Sequence, residues 1–104
     1  MIVRGVGIDE LTHCAHYASA RDIVAIRLKC CDTFYACIRC HAELAGHTAV
    51  VWGKHERDAG AVFCGRCQNV LSIAEYLGCS DFCPRCGAPF NPRCVDHHHF
   101  YFEL

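Results

Sequence analysis

Cysteine dominates the chemistry available to this chain, since eleven of its 104 residues are cysteines. Thiols at this density either pair as disulfides or bind metal ions as thiolates. An odd number cannot pair completely within one chain, and the N-terminal residues show no apolar run typical of a signal peptide. We therefore expect a cytoplasmic protein whose thiols stay reduced, and we favour metal binding over a disulfide framework.

The second half of the chain contains two Cys-x-x-Cys turns, Cys64-Gly65-Arg66-Cys67 and Cys83-Pro84-Arg85-Cys86. Each turn can direct two thiolates at one ion, and fifteen residues separate the turns, a spacing typical of a four-cysteine zinc site. One such turn could instead be a thioredoxin-like redox pair, but that interpretation leaves the other turn without a role. The pattern predicts a structural zinc site.

The first half offers eight further donors in four local pairs: Cys14-x-His16, Cys30-Cys31, Cys37-x-x-Cys40 and His41-x5-His47. Eight donors suit two tetrahedral zinc ions, which makes about three ions in total. The predicted metal ligands are Cys14, His16, Cys30, Cys31, Cys37, Cys40, His41, His47, Cys64, Cys67, Cys83 and Cys86.

How the first eight donors divide between two ions is left open by the sequence. Adjacent side chains of an extended segment point to opposite sides, which favours Cys30 and Cys31 binding different ions. His41 could turn away from the Cys37–Cys40 ion and join His47 on the neighbouring one.

Short elements must position these donors. Segment 22–29 is predicted as a strand with Val24, Ile26 and Leu28 on one face, and it leads directly to Cys30. Segment 41–45 predicts a short helix that Gly46 ends, and segment 48–52 predicts a strand.

The second half is expected to begin after an exposed connector, residues 54–58. The apolar segment 61–63 leads into this half. A brief helix is predicted by the helical spacing of Ile73, Tyr76 and Leu77. The alternation in 100–103 predicts a closing strand. The apolar residues expected between the metal sites are Val24, Ile26, Leu28, Val50, Trp52, Phe63, Leu77 and Phe90.

A longer pattern runs through Cys14-Ala15-His16-Tyr17, Asp22-Ile23, Cys30-Cys31, segment 34–41, His47, both Cys-x-x-Cys turns and Cys94. It resembles the CHY-type zinc finger, a family named after its Cys-His-Tyr opening, over roughly residues 10–102. The resemblance implies a compact three-zinc module that occurs alone in small prokaryotic and fungal proteins and ahead of a RING domain in ubiquitin ligases. This sequence lacks the further array that a RING needs, so ubiquitin transfer is not expected. Stand-alone mitochondrial relatives are linked to zinc handling and thiol redox during assembly of small cysteine-rich chaperones.

We therefore expect a small metal-stabilised α+β fold with short strands, zinc knuckles and one or two short helices. It would form a single domain, residues 1–104, with a first lobe at about 10–52 and a second at about 60–102.

Several donors lie outside the predicted set. In the ligase versions of the family a further Cys-x-x-Cys follows the last knuckle, whereas this chain has Cys94-Val95-Asp96-His97. Both end residues of that segment can bind zinc, but a packed cysteine with a surface histidine is the favoured interpretation. Cys79 is interpreted as a spare loop thiol, and His97-His98-His99 as the start of a structural edge. His13 and His55 are interpreted as ordinary surface residues.

One enzyme signature is present in part, because His41-Ala42-Glu43 matches the His-x-Glu of zinc nucleobase deaminases. Those enzymes have proline directly before the first cysteine of their Cys-x-x-Cys, whereas Phe82 precedes Cys83 here. The donors beside His41 would also fill the coordination position that a catalytic water needs. No enzyme activity is therefore expected.

The charge balance argues against nucleic acid as a general partner, because ten Lys and Arg accompany eleven Asp and Glu. Nucleic-acid binding is a minor alternative, which rests only on arginines near the metal turns such as Arg39, Arg66 and Arg85. No stretch approaches the roughly 18 apolar residues of a membrane span. The leading hypothesis is a non-enzymatic zinc-binding module that presents a surface to a protein partner. The alternative is a thiol-redox or zinc-transfer protein that assists cysteine-rich clients.

Overall fold

A five-stranded sheet lies at the centre of the computed structural model, which describes residues 3–9, 11–16, 21–79, 81–91, 98 and 100–103. The strand order is β1-β3-β2-β4-β5; β1 and β3 are parallel and the other pairs are antiparallel. Together with two short helices, this mixed sheet confirms the small α+β class. The elements are β1 (Val3–Arg4), β2 (Val24–Ile26), β3 (Phe34–Tyr35), α1 (Ile38–Leu44), β4 (Gly60–Cys64), β5 (Val70–Ser72) and α2 (Ile73–Leu77).

Strand β2 is the middle strand of the sheet, and both of its faces are covered by apolar side chains. The predicted face is confirmed, since Val24, Ile26 and Leu28 all contribute to the main core. Ala25 points to the opposite face, where it packs with one aromatic ring from β3 and one from β4. The strand is shorter than the predicted 22–29 because the chain turns after Leu28, whose carbonyl accepts a hydrogen bond from the Cys31 amide.

Helix α1 confirms the predicted helix but begins three residues earlier, at Ile38. The extension arises because Cys37 acts as the N-cap: its sulfur accepts a hydrogen bond from the backbone N–H of Cys40, the role that a serine oxygen fills in other helices. Gly46 follows the C-cap Ala45 at a φ of 70°, the left-handed conformation that ends many helices at glycine.

The predicted strand at 48–52 is wrong, and so is the predicted closing strand at 100–103. The two segments meet only in a single parallel bridge between Trp52 and Phe102. Upstream of that bridge, the Val50 amide donates to the sulfur of Cys30 instead of to a neighbouring strand. Val50 is also 48% exposed, so its predicted place in the core is wrong as well.

The other predicted core residues lie where they were expected. Val24 and Leu77 are half-buried and pack against the main core, Phe63 is buried in the second face's cluster with Ala25 and Phe34, and the remaining four are buried. These four are Ile26, Leu28, Trp52 and Phe90.

Trp52, which precedes the connector at 54–58, contacts Arg27, the residue after β2. Its indole N–H donates to the carbonyl of Arg27 at 2.6 Å, and the Arg27 guanidinium stacks 4.9 Å from the indole centroid. That guanidinium also donates to the carbonyls of Cys31 and Gly60. The predicted connector itself forms a 3₁₀ helix at Lys54–Glu56, and Glu56 pairs with Lys29 at 2.8 Å.

The second half of the chain folds against β4. Strand β5 and helix α2 follow in direct succession, and Ser72 caps the helix by accepting from the Glu75 amide while the Glu75 carboxylate accepts from the Ser72 amide. This confirms the predicted helix, with Ile73 and Tyr76 buried and Leu77 half-buried.

Gly65, the residue after β4, makes a close backbone contact with the N-terminal part of the chain. Its amide donates to the carbonyl of Ile23, and a Cβ at this position would lie 2.4 Å from the carbonyl oxygen of Leu11. The sheet also contains strands from both expected lobes, because β2 of the first pairs with β4 of the second. The boundaries of the lobes stay a prediction.

Candidate metal centres

Three groups of cysteine and histidine side chains converge in the described part of the chain, and within each group the donor atoms all lie within 4.8 Å of one another. All twelve residues predicted from the sequence fall in these groups, four in each; that each one binds metal stays a prediction. Cluster I is Cys14, His16, Cys37 and Cys40; cluster II is Cys30, Cys31, His41 and His47; cluster III is Cys64, Cys67, Cys83 and Cys86.

Cluster I is the most buried of the three, since its three cysteines are buried and His16 is half-buried. The sulfur of Cys37 lies 3.7 Å from that of Cys14 and 3.5 Å from that of Cys40. His16 completes the group through Nδ1, which is 3.4 Å from the Cys37 sulfur. Four zinc–sulfur bonds of 2.3 Å in a tetrahedron would place sulfurs about 3.8 Å apart, so this spacing fits zinc.

Polar groups around cluster I hold the donors in place. The Val6 amide donates to the Cys40 sulfur at 3.4 Å, and backbone donors of this kind stabilise thiolate charge. His16 contacts the Glu43 carboxylate through Nε2 at 3.2 Å, which leaves Nδ1 free for a metal. This contact was not predicted from the sequence, although Glu43 lies three residues after Cys40 and therefore on the same face of α1. Glu43 therefore contacts a histidine of cluster I, whereas His41, with which it forms the deaminase-like spacing, belongs to cluster II.

Cluster II is assembled from a turn, helix α1 and the loop after it. Cys30 and Cys31 share this cluster with sulfurs 3.5 Å apart, so the expectation that they serve different ions is wrong. The reason is the turn after Leu28, because neighbouring side chains point apart only in an extended segment. The expectation that His41 joins His47 is confirmed: His41 Nε2 lies 3.3 Å and His47 Nε2 lies 3.2 Å from the Cys31 sulfur.

The two histidines of cluster II differ in exposure. His41 is 2% exposed and its ring packs edge-on against Tyr35, with centroids 5.1 Å apart. His47 is exposed, and its Nδ1 contacts the carbonyl of Ala45 at 3.1 Å, which assigns the lone pair to Nε2. A cavity of about 450 Å³ opens beside both rings and is lined by Ile38, His41, Ala42, Gly46, His47, Thr48 and Ala49.

Cluster III consists of two matching knuckles. In each knuckle the backbone of the first cysteine makes the same two hydrogen bonds. The Cys64 carbonyl accepts from the Gln68 amide, and the Cys64 amide donates to the Asn69 carbonyl. The Cys83 carbonyl likewise accepts from the Gly87 amide, and the Cys83 amide donates to the Ala88 carbonyl. Gln68 and Gly87 both have positive φ, 59° and 76°. The knuckles meet with sulfurs 3.9 Å apart for Cys64 and Cys86 and 3.8 Å apart for Cys67 and Cys83. Four sulfurs at this spacing again fit zinc.

Burial keeps most of these thiols protonated in the absence of metal. It raises the pKa of Cys31 to about 11, and it raises the pKa of Cys37 and of Cys64 further still. Cys67 differs: burial acts in the same upward direction, but hydrogen bonds with Asn69 outweigh it and lower the pKa of Cys67 to about 7. A bound cation would have to displace the thiol protons of each cluster.

The histidine pKa values shift in opposite directions. Burial lowers the pKa of His41, with a further decrease from neighbouring His47, so the neutral imidazole that a metal needs is favoured. A hydrogen bond with Cys14 raises the pKa of His16, and Glu43 adds to that increase.

The remaining candidate donors have different outcomes. Cys79 is half-buried and belongs to none of the three groups, as expected for a spare thiol. Cys94 and His97 lie outside the described residues, as does His99, so their predicted roles stay predictions. His13 is half-buried and contacts the Asp9 carboxylate at 2.7 Å, so it is not the plain surface residue that was expected, whereas His55 is exposed. None of the ten described cysteines is in a disulfide.

Among the described residues, no helix combines the length and the apolar character that crossing a membrane requires.

Comparison with known proteins identifies one matching family and several similar proteins. The sequence profile described as CHY zinc finger matches residues 14–76. An uncharacterized protein of Schizosaccharomyces pombe is 43% identical over 101 residues, covering 97% of this chain and 88% of its own length. Helper of Tim protein 13 of Saccharomyces cerevisiae is 36% identical over 97% of this chain and 90% of its own length. The protein of the same name from Kluyveromyces lactis is 36% identical over 96% and 87%. No solved structure matches the chain significantly.

Proposed function

Since the chain belongs to the CHY zinc finger family, we propose that it is a non-catalytic module in which about three zinc ions hold a rigid surface for a protein partner. The observation that supports this most strongly is the grouping of twelve donors into three sets of four. Four protein ligands close a tetrahedral zinc shell, whereas catalytic sites keep one position for water or substrate.

The size of the chain supports a structural role for the metal. A domain of about 100 residues buries only about two-thirds of its unfolded surface, so apolar burial alone stabilises it weakly. Residues of all three clusters also lie at the ends of the sheet strands or on α1, so that metal ligation would fix the elements themselves. Cys64 ends β4, and Cys37 caps α1.

For the partner, we propose a Tim protein. The support is the name Helper of Tim protein 13, carried by two relatives that align with nearly the whole chain at 36% identity. The described surface adds exposed apolar side chains that could contact a partner: Leu44, Val50, Phe82 and Phe100.

The test is direct binding between the zinc-loaded protein and purified yeast Tim proteins, measured by titration calorimetry. We expect saturable binding that is lost in Cys83→Ser, which breaks cluster III, and retained in Cys79→Ser, which alters a thiol outside the clusters. Binding that is equal in the parent and in a zinc-free Cys83→Ser variant would contradict the proposal, as would no binding by a protein that holds three ions.

A thiol-redox or zinc-transfer role is the second candidate, and one observation favours it. In cluster II His47 is exposed beside an open cavity and both cysteines are half-buried, so three of the four ligands are at least partly accessible from solvent. This role predicts partial zinc occupancy and selective oxidation of Cys30 and Cys31 by mild peroxide. The structural role predicts that all three ions resist the same treatment. Native mass spectrometry with and without peroxide distinguishes them.

For the compartment we keep the cytoplasm as a proposal, because thiolate ligands require an environment that maintains cysteines in the reduced form. Fluorescence imaging of a tagged chain tests it. A signal confined to another compartment would overturn this point without affecting the proposed zinc binding.

A further inference from the structure

We propose that cluster II is the one site of the protein that admits an outside thiolate, and that His47 is the donor which that thiolate replaces. The proposal rests on the zinc occupancy proposed above and adds which ligand an incoming thiolate displaces. The incoming group would be a cysteine thiol of another protein or of a small molecule.

Accessibility distinguishes His47 from the other histidines of the clusters. His47 is exposed, and the polar and ring contacts recorded for its side chain among the described residues are those with Cys31, the His41 ring and the Ala45 carbonyl. His41 is 2% exposed on α1. His16 is half-buried and is tethered by the Glu43 carboxylate from the helix. Of the three imidazoles, His47 can therefore swing away with the least disruption of its surroundings.

The backbone that carries His47 lies outside the strands and helices. His47 follows Gly46 in the irregular segment between α1 and Trp52, where Val50 is half exposed. In contrast, Cys31 and its neighbour are fixed by the turn after Leu28, whose carbonyl accepts from the Cys31 amide. A ligand on a loop can depart without breaking a strand or helix.

Space for an entering group lies on the same side. The cavity beside cluster II is lined by both histidine rings and otherwise by small or apolar residues of α1 and the following loop. Among the described residues, no lysine, arginine, aspartate or glutamate lines it. Its volume of about 450 Å³ is ample for a cysteine side chain and the backbone on either side of it.

Charge favours cluster II over the other two. A divalent cation with the two thiolates of cluster II is neutral, whereas three thiolates in cluster I and four in cluster III leave negative charge. An approaching thiolate is therefore repelled by clusters I and III and not by cluster II. Cluster III also has one exposed ligand, Cys86, but replacing it exchanges one thiolate for another at a site that is already anionic.

The exchange balances without an oxidant or a reductant. With zinc bound, an incoming thiol would give its proton to the solvent and its sulfur would take the coordination position of His47 Nε2, and the imidazole would leave as a neutral group. Cys30, Cys31 and His41 remain as ligands throughout. Thiolates are strong zinc ligands, so the exchange is plausible on chemical grounds.

The test measures how fast each bound ion exchanges with isotopically enriched zinc, followed by native mass spectrometry of the full chain. Reduced glutathione and a two-cysteine peptide at equal thiol concentration serve as separate arms. We expect one of the three ions to exchange rapidly and only when thiol is present. A response to both thiols identifies thiols in general as the entering group, and a response to the peptide alone identifies a protein thiol.

Two variants identify the site. His47→Cys gives cluster II a third thiolate, and we expect it to slow the fast phase by about tenfold or more, since a unit charge a few ångströms away contributes more than 1.4 kcal/mol at moderate dielectric. His16→Cys makes the same change in cluster I and should leave the fast phase unaltered. A fast phase that is unchanged in His47→Cys and lost in His16→Cys would overturn the proposal.

A third variant leaves every ligand intact. Thr48→Trp fills the cavity and is expected to slow thiol-dependent exchange while exchange without thiol stays the same. Ala74→Trp, on the exposed side of α2, is the matched control. Three bound ions that all exchange slowly would overturn this inference alone, whereas a protein that folds with fewer than three ions would overturn the proposed function.

Discussion

Cys40 and His41 are consecutive residues of α1, yet Cys40 belongs to cluster I and His41 to cluster II. The two side chains leave the helix about 100° apart, which lets one turn supply donors to two neighbouring groups. Helix α1 has only seven residues, and isolated helices shorter than about 12 residues are marginal in water. Its stability must therefore come from the packing and ligation at its two sides.

This shared helix predicts coupling between clusters I and II. Cys40→Ser should weaken zinc binding at cluster II by about tenfold or more, although it alters no donor there, because a frayed α1 no longer positions His41. Competition with a coloured chelator measures the affinity, and native mass spectrometry counts the ions. Cys64→Ser is the control, since it removes a ligand of cluster III and leaves α1 intact. Undiminished affinity for two ions in Cys40→Ser would show that the clusters are independent.

The Glu43 carboxylate is predicted to strengthen cluster I through His16. Glu43→Gln preserves the shape of the side chain and removes its charge, so the imidazole becomes a weaker donor. We expect the affinity of cluster I for zinc to fall by about tenfold, the lower end of the range for such partners, because Glu43 is 53% exposed. Asp58→Asn, at an exposed position of the connector, should have no such effect. Equal affinities in the two variants would assign Glu43 no role at the metal.

Gly65→Ala is predicted to destabilise the protein by about 1–3 kcal/mol, the usual cost of overpacking. The new methyl group would lie 2.4 Å from the Leu11 carbonyl oxygen, and backbone on both sides must move to relieve the clash. Gly78→Ala is a matched control, because its Cβ would lie 3.3 Å from the nearest atom and the backbone φ is −100°. Thermal unfolding of the zinc-loaded variants provides the comparison, and a similar loss in both would refute the proposed contact.

Zinc binding is predicted to release protons. The clusters contain nine cysteines, and burial raises the pKa of Cys31, Cys37 and Cys64 while hydrogen bonds lower that of Cys67 to about 7. We therefore expect about eight to nine protons per three ions at pH 7, measured by calorimetry in buffers of different ionisation enthalpy. A release of three or fewer would mean that most of the cysteines are not ligands.

The sign of the pH dependence follows from the same groups. Because binding releases protons, affinity for zinc falls as the pH decreases, and the zinc-loaded fold loses stability on acidification. Circular dichroism of the zinc-loaded protein, titrated from neutral to acidic pH, measures this loss. A fold that is equally stable at acidic and at neutral pH would contradict thiolate ligation.

Removal of zinc is predicted to unfold the chain cooperatively. Each closed site contributes on the order of 10 kcal/mol of apparent binding free energy, which exists only when the ligands converge. Cys83→Ser should therefore cost far more stability than Cys79→Ser, although both change one sulfur to oxygen in neighbouring positions. Circular dichroism after prolonged incubation with excess chelator is the measurement. A far-ultraviolet spectrum that survives complete zinc removal would contradict a metal-dependent fold.

The sequence revealed the donors better than the elements that hold them. The spacing of Cys64, Cys67, Cys83 and Cys86 alone indicated one group of four, because a Cys-x-x-Cys turn is a local structure. The grouping of Cys30 with Cys31 could not be derived from the sequence. It depends on the turn between Leu28 and Cys31, which contains none of the glycine, proline or asparagine residues typical of turns.

The strands were the least predictable elements for a related reason. β1 and β3 have two residues each, too few to show an alternating pattern, and they pair in parallel across thirty residues of chain. Segment 48–52 shows the opposite error: a β-branched, apolar run predicted a strand, but its amides and carbonyls are used by Cys30, Lys29 and the C-terminal segment. Local propensity was overridden by tertiary contacts.

The pairing of β2 with β4 has a consequence for how such a protein can change over generations. Those strands lie on either side of the connector at residues 54–58. A gene break or fusion point placed there would put β2 and β4 on separate polypeptides, each with an unpaired strand edge that favours aggregation with other chains. Recombination would therefore have to transfer the complete domain. Larger proteins that contain it should have both halves without an interruption and in their present order.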